Sequence, residues 1–334
     1  MRRMKFDRSG PFGAMELYTK SEPGKAFLEC KLHLKSEETR HDSEADGDYL
    51  EVEIWDKEKR LIFYCRQAAG GEEPIRGILL HPHLWQGAEN PYRYFFRARI
   101  WQDGNVADTF EQNFALCEFR HIPGKGWYLN GEAFEMRAVG YEIPTEENAK
   151  LCYEISAQEN AKLCYEISAQ ENAKPCYAQI RHDLERILKM GANTVCPAAE
   201  RIMPEFLSLC EELGLVVYRK VRETPEENPI VHFNSLTGEQ FYQYKARWCR
   251  EPFVYINPNS LLWQENGNAE VTVYSNQKKV ALYVEGVLFE FQSDGPEFRF
   301  QEIPVKKLPL RLSAEAEECG MSVTAQPVHR IFTK

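Results

Sequence analysis

Residues 81–108 read HPHLWQGAENPYRYFFRARIWQDGNVAD, and this stretch decides how the rest of the chain is interpreted. Its central segment, YRYFFRARIW, is rich in aromatic residues and partly alternating, which indicates a β-strand. The turn sequence QDGN follows at once, so the chain reverses there. The stretch predicts neighbouring strands of a β-rich domain.

Six further segments of the same kind surround it between residues 15 and 120. Short strand-like runs are separated by turn residues at regular spacing, which favours an immunoglobulin-like sandwich over 15–120. Residues 1–14 are predicted to be an N-terminal tail. The seven strand segments are MELYTK, AFLECKLHL, YLEVEIWD, RLIFYC, RGILL, YRYFFRARIW and TFEQNFALCEF.

The pattern changes in residues 121–237. LNGE at 129–132 is a hairpin signal. Two amphipathic segments, 178–191 and 203–214, have helical spacing and end in glycine. Short apolar runs, ANTVC and LVVYR, follow them. Alternation of strand and helix predicts parallel strands joined by crossovers.

Residues 238–334 are predicted to return to β-structure as a second immunoglobulin-like sandwich. The fold class expected from the whole chain is therefore multidomain β plus α/β. Its strand segments are EPFVYINP, AEVTVYSN, KKVALYVEG, VLFEFQS, EFRFQEIP, LPLRLSAEAEE and MSVTAQPVHRIF.

Composition excludes several classes of function. The net charge is -10, and the sequence has no basic patch with interleaved aromatics, which argues against nucleic acid as a partner. No apolar run is long enough for a membrane span, and no signal peptide follows the basic N-terminus, so a cytoplasmic location is expected. The ten cysteines form no CxxC pair and are expected to be reduced thiols, with no metal and no cofactor.

Four stretches together resemble glycoside hydrolase family 2, which includes β-galactosidases, β-glucuronidases and β-mannosidases. Residues 81–108 resemble the end of that family's central sandwich, with its Pro-x-Leu-Trp and Asn-Pro-Tyr signature. Residues 126–140, GWYLNGEAFEMRAVG, resemble the start of its catalytic (β/α)8 barrel, and 180–218 resemble the next two strands and helices. Residues 270–286 resemble a C-terminal immunoglobulin-like module.

The departures from the family concern its catalytic residues. The resemblance places the acid/base glutamate on the fourth barrel strand and the nucleophile on the seventh. Here the third strand ends near Arg219, and 236–248, LTGEQFYQYKARW, already resembles the segment that leaves the barrel. Five βα units would need well over 100 residues, at roughly 30 per unit, and are missing. The family's N-terminal jelly-roll domain is missing as well.

Positions that remain have also changed. RAVG at 137–140 stands where the family has Arg-Gly-Val-Asn, and NTVC at 193–196 stands where it has Asn-Thr-Val-Arg. A cysteine cannot make the bidentate contact of an arginine to a carboxylate. No catalytic residue is expected. The weak candidates, each following a predicted strand, are Glu142, Glu200 and Glu223.

The function expected is therefore that of a degenerate relative, a pseudoenzyme that binds carbohydrate or protein as a scaffold. The alternatives are an active β-glycosidase whose barrel a partner completes or whose site is rebuilt, and a gene fragment without function. The incomplete barrel leaves sheet edges uncovered, which predicts that the flanking sandwiches, a homodimer or another protein covers them.

A twelve-residue unit is repeated three times over 141–176. Twelve residues do not match a helical period, so successive copies would present different faces and could not share an apolar stripe. We expect a solvated loop insertion, for which closure costs only about 0.6 kcal/mol per doubling of length. A repeat that binds a partner is the less favoured interpretation, because stacked units need a common core.

Overall fold

The computed structural model is mostly β-sheet and has more than one domain. It describes residues 2–7, 12–34, 48–68, 73–144, 176–199, 202–218, 231–264, 267–305, 309–318, 321–324 and 328–330. Contacts divide the chain into two compact units. The first unit is Met1–Met136 with Ala199–Tyr218, and the second unit is Arg137–Ala198 with Arg219–Lys334.

The first unit contains two antiparallel four-stranded sheets. One has the order β1-β2-β3-β6, and the other has the order β5-β4-β7-β8. Their strands are β1 (Arg2–Asp7), β2 (Phe12–Glu22), β3 (Lys25–Leu34), β4 (Tyr49–Trp55), β5 (Leu61–Ala68), β6 (Ile75–Leu80), β7 (Tyr94–Gln102) and β8 (Asn105–Phe114).

β7 shows why this sequence forms a half-buried strand. Its even-numbered residues from Tyr94 to Ile100 are buried in the core of the first unit, and the odd-numbered residues between them point to the other face. The period of two matches the pleat of a strand. Phe114 at the end of β8 is completely buried in the same core, and such burial stabilises the fold by about 1.5–3 kcal/mol per large side chain.

A smaller antiparallel sheet follows, with the order β11-β10-β9. Its strands are β9 (Phe119–Ile122), β10 (Gly126–Leu129) and β11 (Glu132–Phe134). Asn130 and Gly131 both have positive φ, 53° and 88°, as a two-residue type I′ hairpin requires. The predicted hairpin at LNGE is confirmed.

The first unit also holds the helix α2 (Pro204–Leu213) and the strand β14 (Val216–Val217). Pro204 is at the first helical position, and Gly214 ends the helix in the left-handed conformation. The Trp85 side chain packs with Leu129 and Val216, and its Nε1–H donates a hydrogen bond of 2.8 Å to the Glu211 carbonyl oxygen. Trp85 thus connects α2 with β10 and β14.

The second unit begins with a parallel sheet. Its elements are β12 (Ala138–Tyr141), α1 (Tyr177–Lys189), β13 (Thr194–Pro197) and β15 (Val231–His232). β12 pairs in parallel with β13 on one side and with β15 on the other. The register places Gly140 between Cys196 and His232.

The helix α3 (Gly238–Trp248) comes next and contradicts the expected return to β-structure at residue 238. A capping box begins it: the Thr237 hydroxyl accepts from the Gln240 backbone N–H, and the Gln240 side chain accepts from the Thr237 N–H. These bonds satisfy two donors that a helix start would otherwise leave unpaired.

Two further sheets lie in the remainder of the second unit and share one apolar core. β16, β17 and β21 pair with β18, while the other sheet has the order β20-β19-β22-β23, with β24 on β22. The strands are β16 (Val254–Ile256), β17 (Leu262–Trp263), β18 (Asn268–Ser275), β19 (Lys279–Val284), β20 (Val287–Ser293), β21 (Glu297–Pro304), β22 (Leu310–Glu318), β23 (Met321–Thr324) and β24 (Val328–Arg330).

Most predicted elements are confirmed locally. All seven strand segments of 15–120 and both helices near 178–191 and 203–214 are present. The tail predicted over 1–14 is wrong, because Arg2–Asp7 pairs antiparallel with β2. Charged residues obscured this strand, and charge is common on edge strands. The four-part domain division stays a prediction, and residues 145–175 of the repeat lie outside the described part.

Candidate functional site

The carboxyl ends of β12, β13 and β15 form one edge of the parallel sheet, where ligands bind in open α/β sheets. The strands end at Tyr141, Pro197 and His232. Glu142 is the first residue after β12. It is the one predicted site residue that the structure describes, since Glu200 and Glu223 lie outside the described residues.

The backbone of Glu142 is held by Asn234. The Glu142 N–H donates to Asn234 Oδ1 at 2.8 Å, and Asn234 Nδ2 donates to the Glu142 carbonyl oxygen at 3.1 Å. The carboxylate itself makes no hydrogen bond or ion pair with the residues that the structure describes. Glu142 therefore offers one positioned, half-buried carboxylate at this edge.

Asp183 on α1 is a second carboxylate that could act together with Glu142, and it is buried, with only 7% of its surface exposed. The Tyr141 hydroxyl donates to Asp183 Oδ2 at 3.1 Å, and Gln179 Nε2 donates to Oδ1 at 2.8 Å. Both carboxylate oxygens thus accept a bond from the protein. Asp183 anchors the helix to β12 and is not free to act on a ligand.

Gly140 leaves space for a side chain from the neighbouring strand. A Cβ atom at position 140 would lie 2.8 Å from Nδ1 of His232, which is closer than real Cβ contacts come. The imidazole thus fills the position where a side chain on β12 would start. Phe233, which follows His232, stacks at a tilt against Tyr141 with ring centroids 6.2 Å apart.

A second candidate site, a cleft of about 740 Å³, lies on the first unit. We call it the cationic cleft and define it by the aromatic side chains Trp55 and Phe95 and by four cations. Asp56, Pro91, Asn113 and Glu212 also line it. The cations are Lys57, Lys59, Arg93 and Arg97.

Strand register brings the floor of this cleft together. Trp55 on β4 pairs with Phe95 on β7, which pairs with Asn113 on β8. Side chains at directly opposed positions have Cβ atoms about 4.5–5.5 Å apart. All three residues have the odd-number parity of the outward face, so they form one row across the sheet.

A ladder of ion pairs occupies the next rows of the same face. Arg97 Nε lies 2.8 Å from Glu111, and Arg99 Nη2 lies 2.7 Å from Glu53. Burial lowers the pKa of Arg99, but the hydrogen bond to Glu53 and the negative charge of Glu53 raise it by more, so the net shift of the Arg99 pKa is upward. This ladder explains Arg97 and Arg99 as partners of acids on the same face, of which Glu53 is buried and Glu111 is exposed.

At the rim of the cleft, Asp56 is buried in the turn after β4. Burial alone would raise the pKa of its carboxyl group, but hydrogen bonds from the Arg60 backbone and side chain lower it below its ordinary value. The Arg60 Nε lies 2.6 Å from Asp56 Oδ2. The negative charge of Asp56 is therefore already compensated.

Sequence reasoning missed the cationic cleft. The signal was present in YRYFFRARIW, in which every outward position is an arginine or an aromatic residue. No group of three or more histidine, cysteine, aspartate or glutamate side chains that could hold a metal occurs in the described part of the chain.

Comparison with known proteins connects the chain to a family. No protein-family model matches it. A β-glucuronidase of Bacteroides fragilis is 30% identical over 83 residues, and one of Streptococcus agalactiae is 22% identical over 188 residues. A glycosyl hydrolase family 2 member from Bacteroides cellulosilyticus matches 96% of this chain and 62% of its own, with a TM-score of 0.65 and 14% identity. The chain is glycoside hydrolase family 2-like.

Another solved structure of similar fold is the Parabacteroides merdae β-glucuronidase, with a TM-score of 0.70 and 10% identity. It is matched over 94% of this chain and 63% of its own. The two curated relatives are matched over 25% and 56% of this chain, but over only 12% and 26% of their own length. The family 2-like chain thus corresponds to a minor part of these relatives.

None of the helices that the structure describes in this family 2-like chain is both long and apolar enough to cross a membrane.

Proposed function

We propose that the chain is a glycoside hydrolase family 2-like protein that does not hydrolyse glycosides and acts as a carbohydrate-binding scaffold. The observation that carries this proposal is the position of β15. It pairs in parallel with β12 on the side opposite to β13. In a closed (β/α)8 barrel the first strand lies between the second strand and the eighth.

We infer that β15 takes the place of the last barrel strand. β14 ends at Val217 and β15 begins at Val231, and a single βαβ unit takes about 30 residues or more. In chain order β12, β13, β14 and β15 then supply four of eight barrel strands. The expectation of five missing units becomes four, because β15 was not anticipated. The sheets on either side are proposed to be immunoglobulin-like sandwiches.

The missing units are those to which the family resemblance assigns the catalytic carboxylates. A retaining glycosidase needs two carboxyl groups about 5–5.5 Å apart, and an inverting one needs them about 6.5–9.5 Å apart. Glu142 supplies one at the strand ends, and Asp183 is engaged by Tyr141 and Gln179. The described residues therefore support no catalytic pair.

A carbohydrate as ligand is supported by the relatives, which are named as β-glucuronidases. The proposed half-barrel also has edges that unpaired strands would expose. We therefore infer that a second copy of the chain or another protein covers them, and light scattering of the purified chain measures whether a dimer forms.

The proposal is tested with aryl β-glucuronide, β-galactoside, β-mannoside and β-glucoside substrates at high protein concentration. Glu142→Gln, Glu200→Gln and Glu223→Gln variants run beside the parent, and an active β-glucuronidase verifies the assay. No turnover above the buffer blank is expected. Turnover that one of these variants abolishes would overturn the proposal and favour the alternative, an active β-glycosidase with a rebuilt or partner-completed site.

A further inference from the structure

The cationic cleft has features that the ion-pair ladder beside it does not explain. Arg93 is paired with Glu212 at 3.1 Å and donates to the Ser208 carbonyl oxygen at 3.2 Å. Arg97 is paired with Glu111. These two arginines therefore have structural partners within the first unit.

Lys57 and Lys59 differ from them. Both side chains are exposed, and neither makes an ion pair with any residue that the structure describes. The two acids of the lining are already neutralised, Asp56 by Arg60 and Glu212 by Arg93. Lys57 and Lys59 are therefore the two cations of the lining that have no acidic partner among the described residues. The exposed Glu58 between them pairs instead with Arg60, at 3.3 Å.

The floor of the cleft is apolar and aromatic. Trp55 and Phe95 are adjacent across the strand pair and are both half-buried. The Trp55 Nε1–H is buried and has no hydrogen-bond acceptor among the described residues.

We propose that the cationic cleft binds a carboxylated oligosaccharide, with a sugar ring against Trp55 and Phe95 and a hexuronate carboxylate at Lys57 and Lys59. The inference rests on the proposed function, since it names the ligand of the carbohydrate-binding scaffold and places it away from the strand ends. The volume of about 740 Å³ lies within the usual range of small-ligand pockets. Aromatic rings beside convergent polar groups are what such a ligand requires.

The test is isothermal titration calorimetry with a tetrasaccharide of alternating glucuronate and N-acetylglucosamine. Its carboxyl-reduced neutral counterpart and inorganic phosphate are titrated separately. The parent is expected to bind the acidic tetrasaccharide, with an affinity that falls as salt screens the lysines. The neutral counterpart is expected to bind at least about tenfold more weakly.

Variants locate the binding site. Lys57→Gln with Lys59→Gln in one chain is expected to weaken binding about tenfold, because each exposed pair contributes modestly. Lys125→Gln, an exposed lysine in a turn of the same unit, is the matched control and should bind like the parent. Trp55→Leu should also lose affinity, whereas Trp101→Leu, on the same sheet face but outside the cleft, should not.

Three results would overturn the inference. If the double lysine variant still binds the acidic tetrasaccharide as the parent does, the ligand binds elsewhere on the protein, and the proposed scaffold function is unaffected. Equal binding of phosphate and tetrasaccharide would show an anion site without sugar recognition. No binding of either tetrasaccharide would reject the cleft and also the carbohydrate-binding part of the proposed function, whereas the absence of hydrolysis is decided separately by the aryl glycoside assay.

Discussion

Trp85 connects three elements of the first unit, so replacing it tests the packing described above. In Trp85→Phe the hydrogen bond to the Glu211 carbonyl oxygen is lost, at about 1 kcal/mol. The smaller side chain also has two fewer carbon atoms, which removes roughly 1.6 kcal/mol at about 0.8 kcal/mol each. Trp85 is only 4% exposed, so water cannot replace these contacts without rearrangement. The opening free energy should fall by about 2–3 kcal/mol.

Hydrogen exchange read by mass spectrometry measures this on individual segments. Amide protection of peptides from β10 and α2 should fall by about 30- to 150-fold, since about 1.4 kcal/mol is a factor of ten. Trp263→Phe is the control, because Trp263 is 46% exposed and lies in the second unit. A loss of less than about threefold in Trp85→Phe, or an equal loss in the control, would refute the reasoning.

Two other predictions concern a glycine and a carboxylate. Gly214→Ala should have a melting temperature well below that of Gly104→Ala. Both glycines have positive φ, which costs alanine about 1–2 kcal/mol, but only at 214 would the new Cβ also lie 2.4 Å from the Ala88 backbone. Equal melting temperatures of the two variants would contradict this packing. Because the Asp56 pKa is lowered in the folded state, its pairing with Arg60 stabilises the protein fully above the ordinary carboxyl pKa of about 3.9 and is lost as pH falls through the lower folded value. Urea unfolding between pH 3 and 6 should show a shallower acid loss for Asp56→Asn, and an unchanged slope would reject this role.

Elements defined by local pattern could be predicted from the sequence. β7 combines strand-forming residues with a following turn, and α2 has a proline at its start and a glycine at its end. These signals lie within ten residues of each other, and tertiary contacts reinforce them. The hairpin at Asn130 and Gly131 is of the same kind, because its turn needs residues that tolerate positive φ.

β15 could not be predicted in this way. It has only two residues, too few for any periodicity, and it is a strand because Val231 and His232 pair with β12 some 90 positions earlier in the chain. α3 was predictable, since Thr237 and Gln240 have the capping-box spacing.

The same distinction between local pattern and distant contacts applies to the candidate sites. Glu142 was identified because it follows a predicted strand, but its anchor, Asn234, is distant in sequence and could not be foreseen. The cationic cleft depends on register, because Trp55 and Phe95 meet only when β4 and β7 are aligned. Alternation predicts which residues share a face of one strand, and it does not say which residue of the neighbouring strand lies opposite.

The contact between Gly140 and the His232 imidazole has an evolutionary consequence. Any side chain that arises at position 140 must displace the ring, so its effect on fitness depends on the residue at position 232. The imidazole is exposed and can rotate out toward solvent, or a mutation can first shorten it. The two positions are therefore epistatic, and an asparagine at position 140 becomes easier to accommodate once the histidine has changed. The order in which mutations occur, and not their number alone, governs whether this strand end can acquire a polar side chain.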